Sequence, residues 1–355
     1  MKILFFITGL GMGGAEKVVC ELADKLYEMG HKVNIVYFTG DLVRKPKSQN
    51  INIYRIPMGL NILIFKRIFE LVRLIDKLKP DVIHAHMFHA NIIARFLKIF
   101  RKKIRVICSS HSSYEGGYIR MKIYALTEKL CDVHTNVSYN ASEALVKSGA
   151  VKERKILTVY NGIDINKYRL NENLRNRTRK ELGFNKDSKI ILAIGRIGTP
   201  KDYPTLLKSF KVVREKQKNI YLLIAGDGPK RQEIESLSKC LGIDNYVTFL
   251  GIRNDIPELL NACDLFVSSS AWEGFGIAIL EAMICKKPIV STKTDGAIEL
   301  LPLDCLVNIG DSQEIAKKIL IKINSTEKLF TYNKVECFDW NLIVNDWLNI
   351  YSNEV

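Results

Sequence analysis

Short apolar runs alternate with longer amphipathic stretches through almost the whole chain, and no other feature restricts its possible folds so tightly. In the first half, strands are expected at Lys2–Thr8, Lys32–Phe38, Asn52–Ile56, Asp81–His84, Arg105–Ser109, Val133–Val137 and Ile156–Val159. Helices are expected at Glu16–Met29, Ile64–Leu78, Asn91–Ile99, Arg120–Cys131 and Ala141–Ser148. Strands joined by helical crossovers run parallel, with helices on both faces of the sheet, which places the chain in the α/β class. The stretch "YNGIDINKYRL" (Tyr160–Leu170) breaks the alternation, and a second series follows. Its strands are expected at Lys189–Ile194, Tyr221–Ala225, Val247–Leu250, Leu265–Ser268, Pro288–Ser291 and Leu306–Val307. The reading is two doubly wound, Rossmann-like halves joined near Asn161–Asp164 and facing a central cleft. Ligands of such sheets bind beyond the carboxyl ends of the strands.

A length of 355 residues is enough for two such cores. No apolar run approaches the roughly 18–20 residues needed to span a bilayer. Ile3–Ile7 has no basic region before it, so it reads as a first strand rather than a signal peptide. The cysteines (Cys20, Cys108, Cys131, Cys240, Cys263, Cys285, Cys305 and Cys337) occur singly, so free thiols in a reducing cytoplasm are expected, most of them buried. The net charge of +15 is uneven: residues 1–165 hold 26 Lys/Arg against 14 Asp/Glu, or +12, which leaves +3 for the remainder. An acidic partner would therefore meet mainly the first half. Charge alone points to nucleic acid or to an anionic membrane surface. Without an aromatic-interleaved basic motif, nucleic acid is set aside.

Gly9, Gly11 and Gly14 give the spacing G-x-G-x-x-G after the first strand, a phosphate-cradling pattern that serves any ligand approaching a helix N-terminus. A dinucleotide site would add an acid at the end of the second strand, yet "KVNIVYFTGD" ends in Tyr37-Phe38-Thr39, with Asp41 beyond Gly40. Tyr118 and Lys122 copy the Tyr/Lys pair of short-chain dehydrogenases, but after a glycine pair, where chance spacing explains them. An NAD-dependent sugar dehydrogenase or epimerase remains the lesser alternative.

The second half holds four informative stretches. "AIGRIGTPKDYPTLLKSF" puts Arg196 and Lys201 in the loop after a strand, a planar fork and a point charge suited to a diphosphate. "LLIAGDGPKRQEIESL" turns tightly at Gly226-Asp227-Gly228-Pro229, and "VTFLGIRNDIPELL" puts Gly251 at another strand end. "SSSAWEGFGIAILEAMICKKPIV" supplies Glu273, a Gly-Phe-Gly turn, and Glu281 on the helix that follows.

With these residues in order, the chain resembles, nearly end to end, the retaining glycosyltransferases of family 4, which have the two-domain GT-B fold. The resemblance rests on Gly13-Gly14-Ala15-Glu16, His111, Asn161-Gly162-Ile163-Asp164, Gly195-Arg196 with Lys201, Gly226-Asp227-Gly228-Pro229, and the Glu-x7-Glu pair Glu273/Glu281. It implies an acceptor-side domain over residues 1–164 and a nucleotide-sugar domain over 165–338. A final helix at 339–355 would pack back on the first domain. It further implies that Arg196 and Lys201 hold the donor diphosphate and stabilise its departing charge. Amides of Phe275, Gly276 and Ile277 would bind the same phosphates, Glu281 the ribose, and Glu273 the transferred sugar. Gly13 and Gly14 would admit the diphosphate, and His111 would contact the donor sugar. The base would lie near Gly251, Ile252 and Arg253, with Glu258 as a further candidate.

No cofactor beyond the nucleotide-sugar co-substrate, UDP-linked, is implied, and no metal. His84, His86 and His89 in "DVIHAHMFHANIIARF" could suggest a metal site, but no Asp, Glu or Cys nearby completes a ligand set. The implied acceptor is a lipid-linked, lipopolysaccharide or capsule glycan, and the implied location is cytoplasmic, on the inner face of the membrane. The crossover helix over Asn61–Lys79 is expected to bury its stripe of Ile62, Phe65, Ile68, Phe69, Val72 and Ile75. The cations Arg101, Lys102 and Lys103 beside Ile99 and Phe100 are expected to dock on anionic lipid. The competing class is a non-catalytic nucleotide-sugar-binding protein.

Overall fold

A computed structural model describes residues 1–58, 64–325, 331–332 and 335–352. Ile62 of the expected stripe and the last three residues of the expected final helix lie outside the described residues. The chain divides into two compact units, Met1–Gly162 with Phe338–Val355, and Ile163–Cys337.

In the first unit, β1 (Lys2–Gly9), β2 (Lys32–Thr39), β3 (Asn52–Arg55), β4 (Val82–His86), β5 (Arg105–Ser109), β6 (Val133–Asn136) and β7 (Ile156–Thr158) alternate, among the described residues, with five helices. These are α1 (Gly14–Glu28), α2 (Ile64–Leu78), α3 (Phe88–Phe100), α4 (Tyr118–Thr127) and α5 (Tyr139–Lys147). The sheet is parallel throughout, in the order β3-β2-β1-β4-β5-β6-β7. Ile3–Ile7 of β1 is buried on both faces, the property that makes a central parallel strand read as one apolar run. The order reverses between β1 and β4. The ends of those two strands define the crevice where such sheets bind ligands.

The second unit repeats the plan with β8 (Lys189–Ile194), β9 (Ile220–Ala225), β10 (Val247–Gly251), β11 (Leu265–Ser268), β12 (Ile289–Thr292) and β13 (Leu306–Val307). Its helices are α6 (Glu172–Glu181), α7 (Tyr203–Lys216), α8 (Arg231–Cys240), α9 (Ile256–Ala262), α10 (Ile277–Ile284), α11 (Asp295–Leu300) and α12 (Ser312–Ile323). The order β10-β9-β8-β11-β12-β13 again reverses at the first strand of the unit, between β8 and β11. Both sheets match the expected fold class.

The last helix, α13 (Trp340–Ser352), belongs to the first unit. It buries Trp340, Ile343, Val344, Trp347, Ile350 and Tyr351 there. The Trp340 indole N–H donates to Glu21 of α1 at 3.0 Å, and Arg105 donates to the Ile350 carbonyl at 2.8 Å.

One surface expectation is corrected. Only the C-terminal half of α2 lies on the core, through Leu71 and Ile75 with Val72, Leu74 and Leu78 beside them. Phe65 and Phe69 are 80% and 55% exposed, and Ile68 is exposed as well, so half of the stripe meets no core. Of the three cations expected to meet lipid, Arg101 grips Asp76 of α2 through two bonds of 2.9 and 2.8 Å, which offsets its charge. Lys102 and Lys103 are exposed beside Phe100, itself 73% exposed. Among the described residues, no helix is long and apolar enough to cross a membrane. Among the described residues no cysteine is in a disulfide; Cys240 and Cys337 are exposed and the other six buried.

Candidate active site

In the second unit, the loop after β8 carries Arg196 and Lys201, and the loop after β11 carries Glu273. They flank the switch point of the sheet. Arg196 is exposed. The Lys201 ammonium forms a tight ion pair with the Glu273 carboxylate, 72 residues away in sequence. The Lys201 stem lies over Gly195, where a Cβ would come within 2.6 Å of the lysine Cε, so only glycine lets the side chain cross there. The loop is fixed by its surroundings. Ser269 donates to the Lys201 carbonyl at 2.8 Å, the Ala271 amide donates to the Pro200 carbonyl at 2.8 Å, and the neighbouring Asp202 caps α7. Ser270 supplies Glu273 with a second, longer bond of 3.4 Å.

Gly276 is the N-cap of α10 and Phe275 is buried before it. The first amides of a helix have no intrahelical acceptor, so Ile277 opens a turn suited to an anion. Glu281, one turn on, is buried and accepts a 2.7 Å hydrogen bond from the hydroxyl of Tyr168, also buried. Tyr168 was not among the residues picked from sequence. At the end of β10, the Gly226 amide donates to the Gly251 carbonyl at 2.8 Å, Ile252 is exposed, and Arg253 is clamped by Asp255. Glu258 stands in the first turn of α9.

In the first unit, Gly13 is the N-cap of α1. A Cβ there would come within 2.2 Å of the Glu16 carboxylate, which folds back over the loop from the position of a capping-box acid. Gly14 is the first residue of the helix. The local need for glycine at position 13 is thus met inside the chain, a role its spacing alone does not disclose.

His111 follows β5, and its Nε2 lies 3.0 Å from Nδ1 of His86, the last residue of β4. The His111 backbone amide donates to Glu115 at 3.2 Å, and Glu115 also accepts from the Tyr124 hydroxyl at 3.0 Å. Burial lowers His111 to about 4 and holds His84 and His86 well below the ordinary imidazole value, while it raises Glu115. The strand does continue through His86, so His84 and His86 share a face, with ring centroids 4.0 Å apart. Their neighbours are a hydroxyl network and His111. Among the described residues, no group of three or more His, Cys, Asp or Glu side chains is placed to hold a metal ion. His89 is exposed.

Two parallel-sheet, Rossmann-like domains in one chain are the architecture of the GT-B glycosyltransferases. The solved structure of HepE from Anabaena, in complex with UDP and glucose, superposes with a TM-score of 0.87 over 99% of this chain and 100% of its own, at 23% identity. The description "Glycosyltransferase Family 4" matches residues 12–167, and "Glycosyl transferases group 1" matches residues 175–330. An uncharacterized glycosyltransferase of Methanocaldococcus jannaschii is 29% identical over 300 residues, 79% of this chain and 76% of the relative. A Campylobacter jejuni relative is 28% identical over 374 residues, 99% of this chain and 98% of its own. It is named a GalNAc-alpha-(1->4)-GalNAc-alpha-(1->3)-diNAcBac-PP-undecaprenol alpha-1,4-N-acetyl-D-galactosaminyltransferase. The chain belongs to the family 4 glycosyltransferases of GT-B fold.

Proposed function

We propose that this glycosyltransferase moves a hexosyl group from a UDP-linked sugar to a lipid-linked or lipopolysaccharide-type glycan, with retention of the anomeric configuration and without a metal ion. The observation that carries the proposal is the Lys201–Glu273 pair across the switch point, with Arg196 on the same loop and the N-terminus of α10 following Glu273. Breaking the bond between sugar and diphosphate builds negative charge on the departing phosphate. Arg196, Lys201 and the amides of Phe275, Gly276 and Ile277 stabilise it, more strongly in the transition state than before it. Glu281, oriented by Tyr168, accepts from the ribose hydroxyls, and Glu273 accepts from the sugar. Backbone at Gly251, Ile252 and Arg253 receives the base. Gly13, Gly14 and His111 complete the donor contacts, and the first domain takes the acceptor.

The UDP held by HepE and the undecaprenyl-linked acceptor named for the Campylobacter relative support the donor and acceptor classes. Exposed Phe65, Phe69 and Phe100 with Lys102 and Lys103 support docking of the first domain on anionic lipid at the inner face of the membrane. A panel of nucleotide sugars tests the reading. One UDP-sugar raises Tm by mass action and is turned over in the presence of EDTA, and the anomeric coupling constant of the product equals that of the donor. Stabilisation by no nucleotide sugar, an inverted product, or loss of turnover with EDTA that Mg²⁺ restores would each overturn the corresponding part.

A further inference from the structure

His111 is held more closely than a residue placed only by its own loop. β4 and β5 are adjacent parallel strands with His86 opposite Ser109, so the ends of both strands bring the two imidazoles together. Directly after His86, Met87 takes φ 71° and ψ 158°, a backbone conformation otherwise left to glycine. Such a conformation persists only where the surroundings impose it. Here the Met87 amide donates to the Ser109 carbonyl at 3.1 Å, and the turn starts α3.

We propose that His86 is a positioning residue: its Nδ1–H donates to His111 Nε2 and fixes His111 as the Nδ1–H tautomer. The inference rests on the reading that His111 contacts the donor sugar. It follows from the other side of the His86 ring. Nε2 of His86 is buried and has no hydrogen-bond partner among the described residues. The ring is packed against His84, at 4.0 Å between centroids, and Phe5, at 5.7 Å. His84 cannot serve as that partner, because both its nitrogens are engaged, with the Tyr351 hydroxyl at 2.8 Å and the Ser109 hydroxyl at 2.7 Å. If His111 donated to His86 instead, the His86 proton would sit on Nε2 as a buried N–H without an acceptor. A protonated His86 would strand the same N–H and bury a charge besides. A buried N–H left without an acceptor is rarer in folded proteins than a buried acceptor left without a donor. The His86 proton therefore belongs on Nδ1, and the His111 lone pair on Nε2.

The consequence is chemical. With Nε2 consumed by His86, the His111 side chain offers the donor sugar one group, a neutral N–H at Nδ1. It acts as a hydrogen-bond donor to a sugar oxygen and not as a base. Burial keeps His86 uncharged, which agrees with this assignment.

Two-bond ¹H–¹⁵N correlation spectra of the full chain, labelled at its 6 histidines, report the tautomer of each ring. The expected result is His111 protonated at Nδ1, with the signal assigned by its loss in His111→Phe. In His86→Phe the His111 proton moves to Nε2, the position a free imidazole prefers. There kcat falls roughly 10-fold or more, the change that about 1.4 kcal/mol of lost transition-state stabilisation produces, while KM for the nucleotide sugar stays within about 3-fold. His86→Asn, which restores an N–H at the δ position, returns the Nδ1–H signature and much of the turnover, and carries the test should the Phe variant fail to fold. Wild-type His111 protonated at Nε2, or an Nδ1–H form that survives His86→Phe, overturns the proposal. Full activity in His111→Phe would instead remove the reading of His111 as a donor contact, with the tautomer still decided by the spectra.

Discussion

Lys201→Ala, Glu273→Gln and the double variant form a cycle whose sign the structure sets. The two side chains are 21% and 23% exposed, so their charges are shielded from water more than a surface pair would be. Removing the ammonium leaves the fold in place, since Ser269 bonds to the Lys201 carbonyl and Asp202 caps α7. It costs the reaction a preorganised positive group, about 2.7–4 kcal/mol or roughly 10²–10³ in kcat. It also frees the Glu273 carboxylate, left with the long bond from Ser270, to repel the donor diphosphate. Lys201→Ala should therefore bind nucleotide more weakly than Lys201→Ala/Glu273→Gln. The coupling expected for groups in contact is about 1–2 kcal/mol, roughly 5- to 30-fold in Kd. Calorimetric titration with the nucleoside diphosphate and steady-state transfer kinetics measure the two quantities, with circular dichroism as the folding control. A Lys201→Ala enzyme within about 3-fold of the parent kcat, or Kd changes that simply multiply across the cycle, would refute this reasoning.

Other perturbations bear on the neighbouring groups. Arg196→Ala should lower kcat by about 10²-fold or more with the fold unchanged, and near-normal turnover would end its assignment to the diphosphate. Tyr168→Phe removes a hydrogen bond to a charged acceptor, worth about 1.5–3 kcal/mol, so Tm should fall and nucleotide binding should weaken by roughly tenfold; an unaltered Kd would detach Glu281 from the ribose. Changing Lys102 and Lys103 together to Ser should reduce flotation with anionic vesicles at low salt by roughly 30-fold, from about 1 kcal/mol per cation. Changing Phe65, Phe69 and Phe100 to Ser should do so at high salt as well, and equal binding to neutral vesicles would count against docking. Finally, His111 titrates at about 4 when folded, below the ordinary 6.5. Between those values the unfolded chain binds a proton that the folded chain does not, so Tm should fall as pH drops from about 6.5 to about 4, and less steeply in His111→Phe.

The alternation of strands and helices was legible because parallel strands covered on both faces, such as Ile3–Ile7, must be apolar at every position. Lys201 and Glu273 were legible as residue types at strand ends. Their contact was not, for it joins loops 72 residues apart. The same distance problem hid Tyr168 behind Glu281 and His86 behind His111, since no local pattern records which buried hydroxyl or ring a distant group will meet. The stripe on α2 failed for another reason. Periodicity shows that a helix has an apolar face, but not how much of its length the core covers, and Phe65 to Phe69 are left uncovered. The pairing of Arg101 with Asp76 was hidden in the same way, because Asp76 approaches it from another helix.

The chain leaves its first unit at Gly162 and re-enters it at Phe338. During synthesis the ribosome therefore delivers every strand of the first sheet long before the helix that covers part of it. Until residues 338–352 emerge, the surfaces that meet Trp347 and Tyr351, His84 among them, have no cover, whereas the second unit already has all of its own segments. The unit begun first is then the one completed last. A chaperone acting on the nascent chain would find its binding surface on the first unit, and a chain cut short before Trp340 would be lost through that unit rather than through the one beside the cut.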